Sequence, residues 1–433
     1  MGWLDTEIAE QWRKEGKRYA SDVNAFVHKM LQGEHPDEAE LADDARHSLS
    51  SKVMKMVKQA NLQGEVERLR EELPAATWPL SNYFQDSMQA VQVVGYLNEH
   101  TVLCNTGMLS NNGQVYTMDQ QGWWCSPDYT MAGCSEGGGY VALTSHEGIH
   151  VIREPDRKLE GEQVAYYPWD KIKDLIKAQL PEIESLADTI HPENTIEKLI
   201  PMDQGQALLL QSRYGIYLIE REQVIILHPS VAEIQEYEYE DTQLSMGHAA
   251  VSSDERWIAW GSQMSNHTVL DRENNKTYEL QPESSYPHCA AFSQDNQVVW
   301  FNACHFYNGV TILVPIDSIA DHTQETEWPI MDENARVYTM IELEGGMVLG
   351  DAYGYLYCIN HEGQELWRYF VGSTIYSLAV SPERSQLAVG TYGGMLHILD
   401  PGSERMDEYG IGTGTLREKE RYVLWREQEP LRW

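Results

Sequence analysis

The chain has 433 residues, 42% hydrophobic and 23% charged, enough for a large core and roughly one to three domains. Its 67 acidic residues outnumber 32 basic ones, and the formal charge of −35 disfavours direct binding to nucleic-acid phosphates. No apolar run reaches the ~18 residues of a membrane span, so no membrane partner is expected; six cysteines without a CxxC pair point to a reducing, cytoplasmic compartment.

Residues 1–80 carry helical periodicity. "TEIAEQWRKEGKRYASDVNAFVHKML" (6–31) places Ile8, Trp12, Tyr19, Val23, Phe26, Val27 and Met30 near one stripe. A second helix is predicted over 35–60, opened by Pro36 and early acids, and a third over 62–74, stopped by Pro74.

From about residue 88 one phrase recurs: a β-branched or aromatic run, a polar turn, a second run ending in a glycine loop, and a third run ending in Asp, Glu or Asn. "IYSLAVSPERSQLAVGTYGGMLHILDPG" (375–402) is its clearest form, with strands predicted at Ile375–Val380, Gln386–Thr391 and Met395–Leu399. Third strands end near Asp119, Glu154, Glu220, Asp271, Pro315, Asn360 and Asp400. The longest gap holds a helical insertion (170–195), in which Ile172, Leu175, Ile176 and Leu180 keep helical spacing. A weaker fourth strand follows each copy, as "GWWCS", "QVAYYPW", "QVIIL", "KTYEL", "TEWPI", "QELWRYF" and "RMDEYG". A period near 40–45 with four strands per unit predicts a mainly β fold, a seven-bladed β-propeller with six to eight blades as the range. The propeller spans 88–415, and a tail (416–433) offers a strand at Tyr422–Arg426 to close the ring or pair with the N-terminal segment.

The phrase "LAVSPERSQLAVGTYGGMLHILDPG" resembles a WD-repeat blade, with Asp400 at the Trp-Asp position. "GYLYCINHEGQELWRYFVG" resembles a quinoprotein-type blade. The resemblance implies architecture and leaves activity open. The chain lacks the Gly-His dipeptide that opens WD blades and the adjacent-cysteine pair of quinoprotein enzymes, so no cofactor is expected.

"PHCAAFSQDNQVVWFNACHF" (287–306) mirrors His288–Cys289 against Cys304–His305. If Phe292 pairs with Val298 the mirror breaks. If the turn centres on Asn296–Gln297, His288 faces His305 and Cys289 faces Cys304. Neighbours on a strand point to opposite faces, so at most two ligands converge, short of the four of a structural zinc site. No metal is expected.

Loops between second and third strands open on one face and carry His146, Arg213, Tyr214, His305, Phe306, Tyr307, Tyr353 and Tyr392, residue types suited to a partner-binding rim. Glycine closes most of these loops, which suits a positive φ. In "EIQEYEYEDTQ" (233–243), Glu236, Glu238 and Glu240 alternate with Tyr237 and Tyr239. As a strand this is a solvated acidic edge, or a docking strip for a basic partner. No nucleophile, metalloprotease or phosphate-loop motif is present, and no catalytic residue is assigned. The expected function is a non-enzymatic scaffold that binds another, basic, protein, of a bacterial accessory or immunity type. The alternative is a hydrolase or lyase with its site in the central channel.

Overall fold

The computed structural model describes the whole chain except residues 1, 36, 38–40, 108–112, 181–185, 187, 307 and 324. Among the described residues seven antiparallel sheets form, each a meander of consecutive strands, and they pack around an axis as the seven blades of a β-propeller. The blades span 91–125, 131–168, 196–228, 248–280, 286–332, 337–370 and 375–432. Third strands end at Asp119, Arg153, Glu220, Asp271, Pro315, Ile359 and Asp400, within one residue of the repeat's punctuation.

Middle strands read as continuous apolar runs because neighbouring blades cover both faces; Leu387–Thr391 is buried throughout. Outer strands face water instead: in Lys276–Leu280, Lys276, Thr277 and Glu279 are exposed and Leu280 is buried.

One serine device sets several inner hairpins. In the 381–386 turn the Ser381 Oγ accepts from the Gln386 amide, while the Ser381 amide donates to the Gln386 carbonyl. Ser252 with Trp257, Ser293 with Val298, and Ser135 with Tyr140 repeat it. The residue three after each serine takes a left-handed φ: Gly138, Glu255, Asn296 and Arg384. This turn settles the 287–306 register. Phe292 pairs with Val299 and Cys289 with Asn302, and His288 sits in a bulge. The mirror is therefore broken, one residue away from the first of the two registers. Among the described residues no group of three or more His, Cys, Asp or Glu gathers as metal ligands would.

Two sheet expectations are corrected in position. The outer strand of blade 5 is Ile330–Asp332, at the end of "TEWPI". The outer strand of blade 7 is Arg417–Val423 and not "RMDEYG"; Pro401, Gly402, Gly410, Gly412 and Gly414 keep the intervening stretch a loop. A fifth strand, Leu431–Arg432, adds to it. The tail thus edges its own blade. The ring closes by blade packing: the Val93 amide donates to Ser377 Oγ at 2.6 Å, and a Cβ at Gly390 would lie 2.1 Å from the Val91 carbonyl oxygen.

The N-terminal layer comprises α1 (Thr6–Leu31), α2 (Ser50–Gln63), α3 (Val66–Glu72) and α4 (Ser81–Ser87). Asp5 caps α1 by accepting from the Ile8 amide. The second helix begins at Ser50, later than periodicity suggested, after a 3₁₀ turn at Ala45–Leu49. Part of its expected first half (36, 38–40) lies outside the described residues. Trp12, Val53, Met54, Val57, Leu69, Leu73 and Leu80 share one core with Met395, Val423, Trp425 and Trp433 of blade 7. Trp433 stacks on Trp12 at 6.4 Å and donates its indole N–H to the Leu73 carbonyl. The layer is thereby welded to the propeller's outer edge.

Candidate functional site

Strands alternate direction within each blade, so second-to-third loops and blade-to-blade connections emerge at one end of the ring. The inserted helix α5 (Trp169–Gln179) is such a connection. Its Ile172 and Ile176 are buried with Leu199, Leu208 and Leu210 of blade 3, so it packs as part of the wall. A further helix, α6 (Val231–Glu236), links blades 3 and 4 and is fixed by a reciprocal Ser230–Glu233 capping box.

That helix corrects the acidic strip. Glu236 ends α6, and Glu238 and Glu240 follow in a turn rather than a strand. The Ser230 cap outweighs the alternating pattern, and Glu238 takes a left-handed φ of 49° that no strand accommodates. All three carboxylates are exposed. Tyr237 and Tyr239 stack on one another at 6.0 Å instead of sharing a strand face.

The predicted rim residues separate into two groups. Tyr392 belongs to an inner cluster built on bulges at the starts of inner strands, where pairing skips His288, Tyr338 and Tyr376. Tyr376 packs on Tyr392 at 4.7 Å, Tyr392 on Tyr338 at 5.7 Å, and Tyr338 edge-on to His288 at 4.7 Å. The Arg336 guanidinium lies 5.1 Å over Tyr338 and donates to His288 Nε2. His288 Nδ1 donates to the Val337 carbonyl at 2.6 Å. Burial, with a smaller contribution from the Arg336 charge and opposed by the Val337 bond, lowers the His288 pKa to about 4. With both ring nitrogens engaged, this imidazole is a neutral strut. Across the mouth, Gln92 Nε2 donates to the Glu197 carbonyl at 2.7 Å.

The outer group is solvent-facing. His146 is exposed beside Glu147, 3.6 Å away. Arg213 is exposed, and Tyr214 is half-buried against His191. His305 is exposed and packs between Tyr286 and Phe306. Phe306 is 69% exposed and Tyr353 54%. Tyr307 lies outside the described residues. Sequence reasoning passed over Met264 in the equivalent loop of blade 4, which is 90% exposed. Met264, Phe306 and Tyr353 thus occupy the same loop position in three consecutive blades, and Tyr237, 63% exposed, stands in the connection entering the first of them. The Gln263 amide donates to the Ser245 carbonyl, and Leu244 to that of Arg213, which ties this connection to its neighbours.

The loops are fixed from beneath. Asp351 accepts from the Tyr353 and Tyr355 amides at 3.0 and 2.7 Å and from the Tyr357 hydroxyl at 2.8 Å. Arg336 donates to the Phe306 carbonyl at 3.1 Å, with Phe306 at φ 54°. The loop glycines serve two purposes. Gly354 and Gly394 need their positive φ, whereas Gly113, Gly148 and Gly309 stand where any Cβ would lie 2.2–2.5 Å from a backbone oxygen.

No protein-family model and no curated protein matches this chain. Among solved structures it is similar to the β-propeller domain of Cps50 (Swd1) from Myceliophteria thermophila, with 11% identity, 70% of this chain and 92% of that one covered, and a TM-score of 0.47. It is similar to BamB from Moraxella catarrhalis (13%, 71% and 84%, TM-score 0.40). A third similar structure is KlHsv2 with loop 6CD replaced by a Gly-Ser linker (8%, 77% and 99%, TM-score 0.43). The architecture itself is a seven-bladed β-propeller.

Proposed function

We propose that this protein is an interaction scaffold that docks a basic protein on the loop face of blades 4 to 6. The observation that carries this reading is the arc of Met264, Phe306 and Tyr353 at equivalent places on blades 4 to 6, with Tyr237 in the connection before them, each side chain large and more than half exposed. Scattered surface apolars need no explanation, but a series of them on one face marks a contact surface. Aromatic side chains on pre-ordered loops lose little entropy on binding and supply most of the energy of such contacts. Exposed Glu236, Glu238 and Glu240 flank the arc, and the −35 charge of the chain favours a cationic partner, raising its rate of encounter. Six free cysteines support a reducing, cytoplasmic setting for this contact.

The test is capture of partners from the native host with wild type and with a Phe306→Ser/Tyr353→Ser double variant, at low and high salt. One dominant basic protein is expected, weakened by high salt and lost by at least about tenfold in the variant. Equal capture by both proteins would remove the arc from the interface.

A further inference from the structure

A cavity of about 740 Å³ lies between the helical layer and blades 6 and 7. Its size is that of a small-molecule site. Its charge is opposite in trend to the chain's. Seven of the 32 lysines and arginines line it against six carboxylates, whereas over the whole sequence acids exceed bases two to one. Three of the arginines have no Asp or Glu side chain as an ion-pair partner among the described residues. Arg70 donates to main-chain oxygens, that of Trp433, the last residue, at 2.6 Å and that of Glu418 at 2.5 Å. Burial pushes its pKa down, and the carboxylates of Glu418, Asp407 and Glu420 oppose that from beyond contact distance. Arg405 and Arg417, both exposed at the cavity, make no side-chain hydrogen bond among the described residues.

At the inner end the buried Arg421–Glu418 pair is closed, with both guanidinium contacts at 2.7 Å, and Arg421 also donates to Thr77 Oγ1 at 3.1 Å. Tyr369 and Trp78 give the cavity flat apolar walls. Guanidinium groups recognise planar oxyanions through paired N–H donors, which ammonium groups do not offer. Glu67, Glu71 and Asp407, also lining the cavity without ion pairs among the described residues, disfavour a polyanion.

We propose that this cavity binds a small organic anion of one or two charges, a carboxylate or a phosphomonoester on a flat apolar body, with Arg70, Arg405 and Arg417 receiving the oxyanion. The probes are benzoate and phenyl phosphate, with benzyl alcohol as the neutral isostere, read by thermal shift and calorimetry on the full chain. A saturable rise in Tm is expected with one or both anions at millimolar concentration and none with the alcohol; the tighter anion names the headgroup. Arg405→Gln and Arg417→Gln, which break no internal contact, should each weaken binding by about tenfold while leaving the unliganded Tm unchanged. Arg70→Gln should weaken it further. Absence of a shift with both anions, a matching shift with benzyl alcohol, or undiminished binding in the Arg405→Gln and Arg417→Gln variants overturns the proposal.

Discussion

His267 offers the most exacting check on the packing. Its side chain is 0% exposed, stacked on Phe301 at 4.4 Å, and neither ring nitrogen has a hydrogen-bond partner. Burial lowers its pKa to about 3, against about 6.5 in an unfolded chain. The folded value is depressed, so the unfolded state binds the proton first. Stability is full above about pH 6.5, falls as pH drops toward 3, and levels below it. Between about pH 7 and pH 5 this one imidazole removes about 2 kcal/mol, from roughly 1.5 pH units at about 1.4 kcal/mol each. His267→Phe keeps the ring stack and deletes the titration. Urea unfolding followed by tryptophan fluorescence, at both pH values and for both proteins, gives the difference directly. The wild type should lose about 2 kcal/mol more than the variant over that interval. Any constant packing change from the larger ring cancels in this difference. Parallel losses in the two proteins would show that the imidazole charges freely in the folded state, and the burial assigned to it would be wrong.

Trp433→Ala should destabilise by about 3–5 kcal/mol, because it empties a fully buried indole site and orphans the Leu73 carbonyl; proteolysis should then cut the helical layer first. Glu418→Gln should cost about 3–5 kcal/mol in urea unfolding by leaving the buried Arg421 guanidinium unpaired. Burial opposes ionisation of Glu418, but Arg421 and His397 outweigh it and hold the carboxyl well below the usual range. Its contribution is therefore present above the ordinary glutamate value and lost as pH falls below it. Gly394→Ala should lower stability by about 2 kcal/mol or more, since φ is +77° and the new Cβ would lie 2.6 Å from Trp425 Cδ1; an unchanged urea midpoint would mean that the loop relaxes.

The blades were legible because their middle strands obey one rule: both faces are covered, so the sequence runs apolar between turns that need serine, glycine or a short acid. The errors fall where that rule lapses. "REKERYV" reads as a charged tail, yet it is the outer strand of blade 7, because Glu418 and Arg421 neutralise each other under the helical layer. "EIQEYEYEDTQ" alternates like a strand, yet a two-residue capping box commits its first half to helix. Periodicity counts side chains and does not see the hydrogen bond that decides between two nearly equal outcomes.

The surface features escaped for a different reason. Met264 was passed over because a methionine in a polar loop has the same sequence signature whether it folds inward or stands in water, and only the ring geometry shows that it continues the row of Phe306 and Tyr353. Tyr392 shows the converse. It shares its loop position with those residues, but bulges at Tyr338 and Tyr376 turn two more tyrosines toward it, and it becomes part of the wall. A bulge adds one residue to one strand and re-aims a side chain, and nothing in local composition announces it. The arginine-lined cavity is still less visible, since Arg70, Arg405 and Arg417 lie up to 347 positions apart and meet only because Trp433 anchors the helical layer against blade 7. Charge that looks evenly diluted along the sequence is gathered at one seam of the fold, and that concentration, rather than any motif, separates a ligand site from a solvated surface.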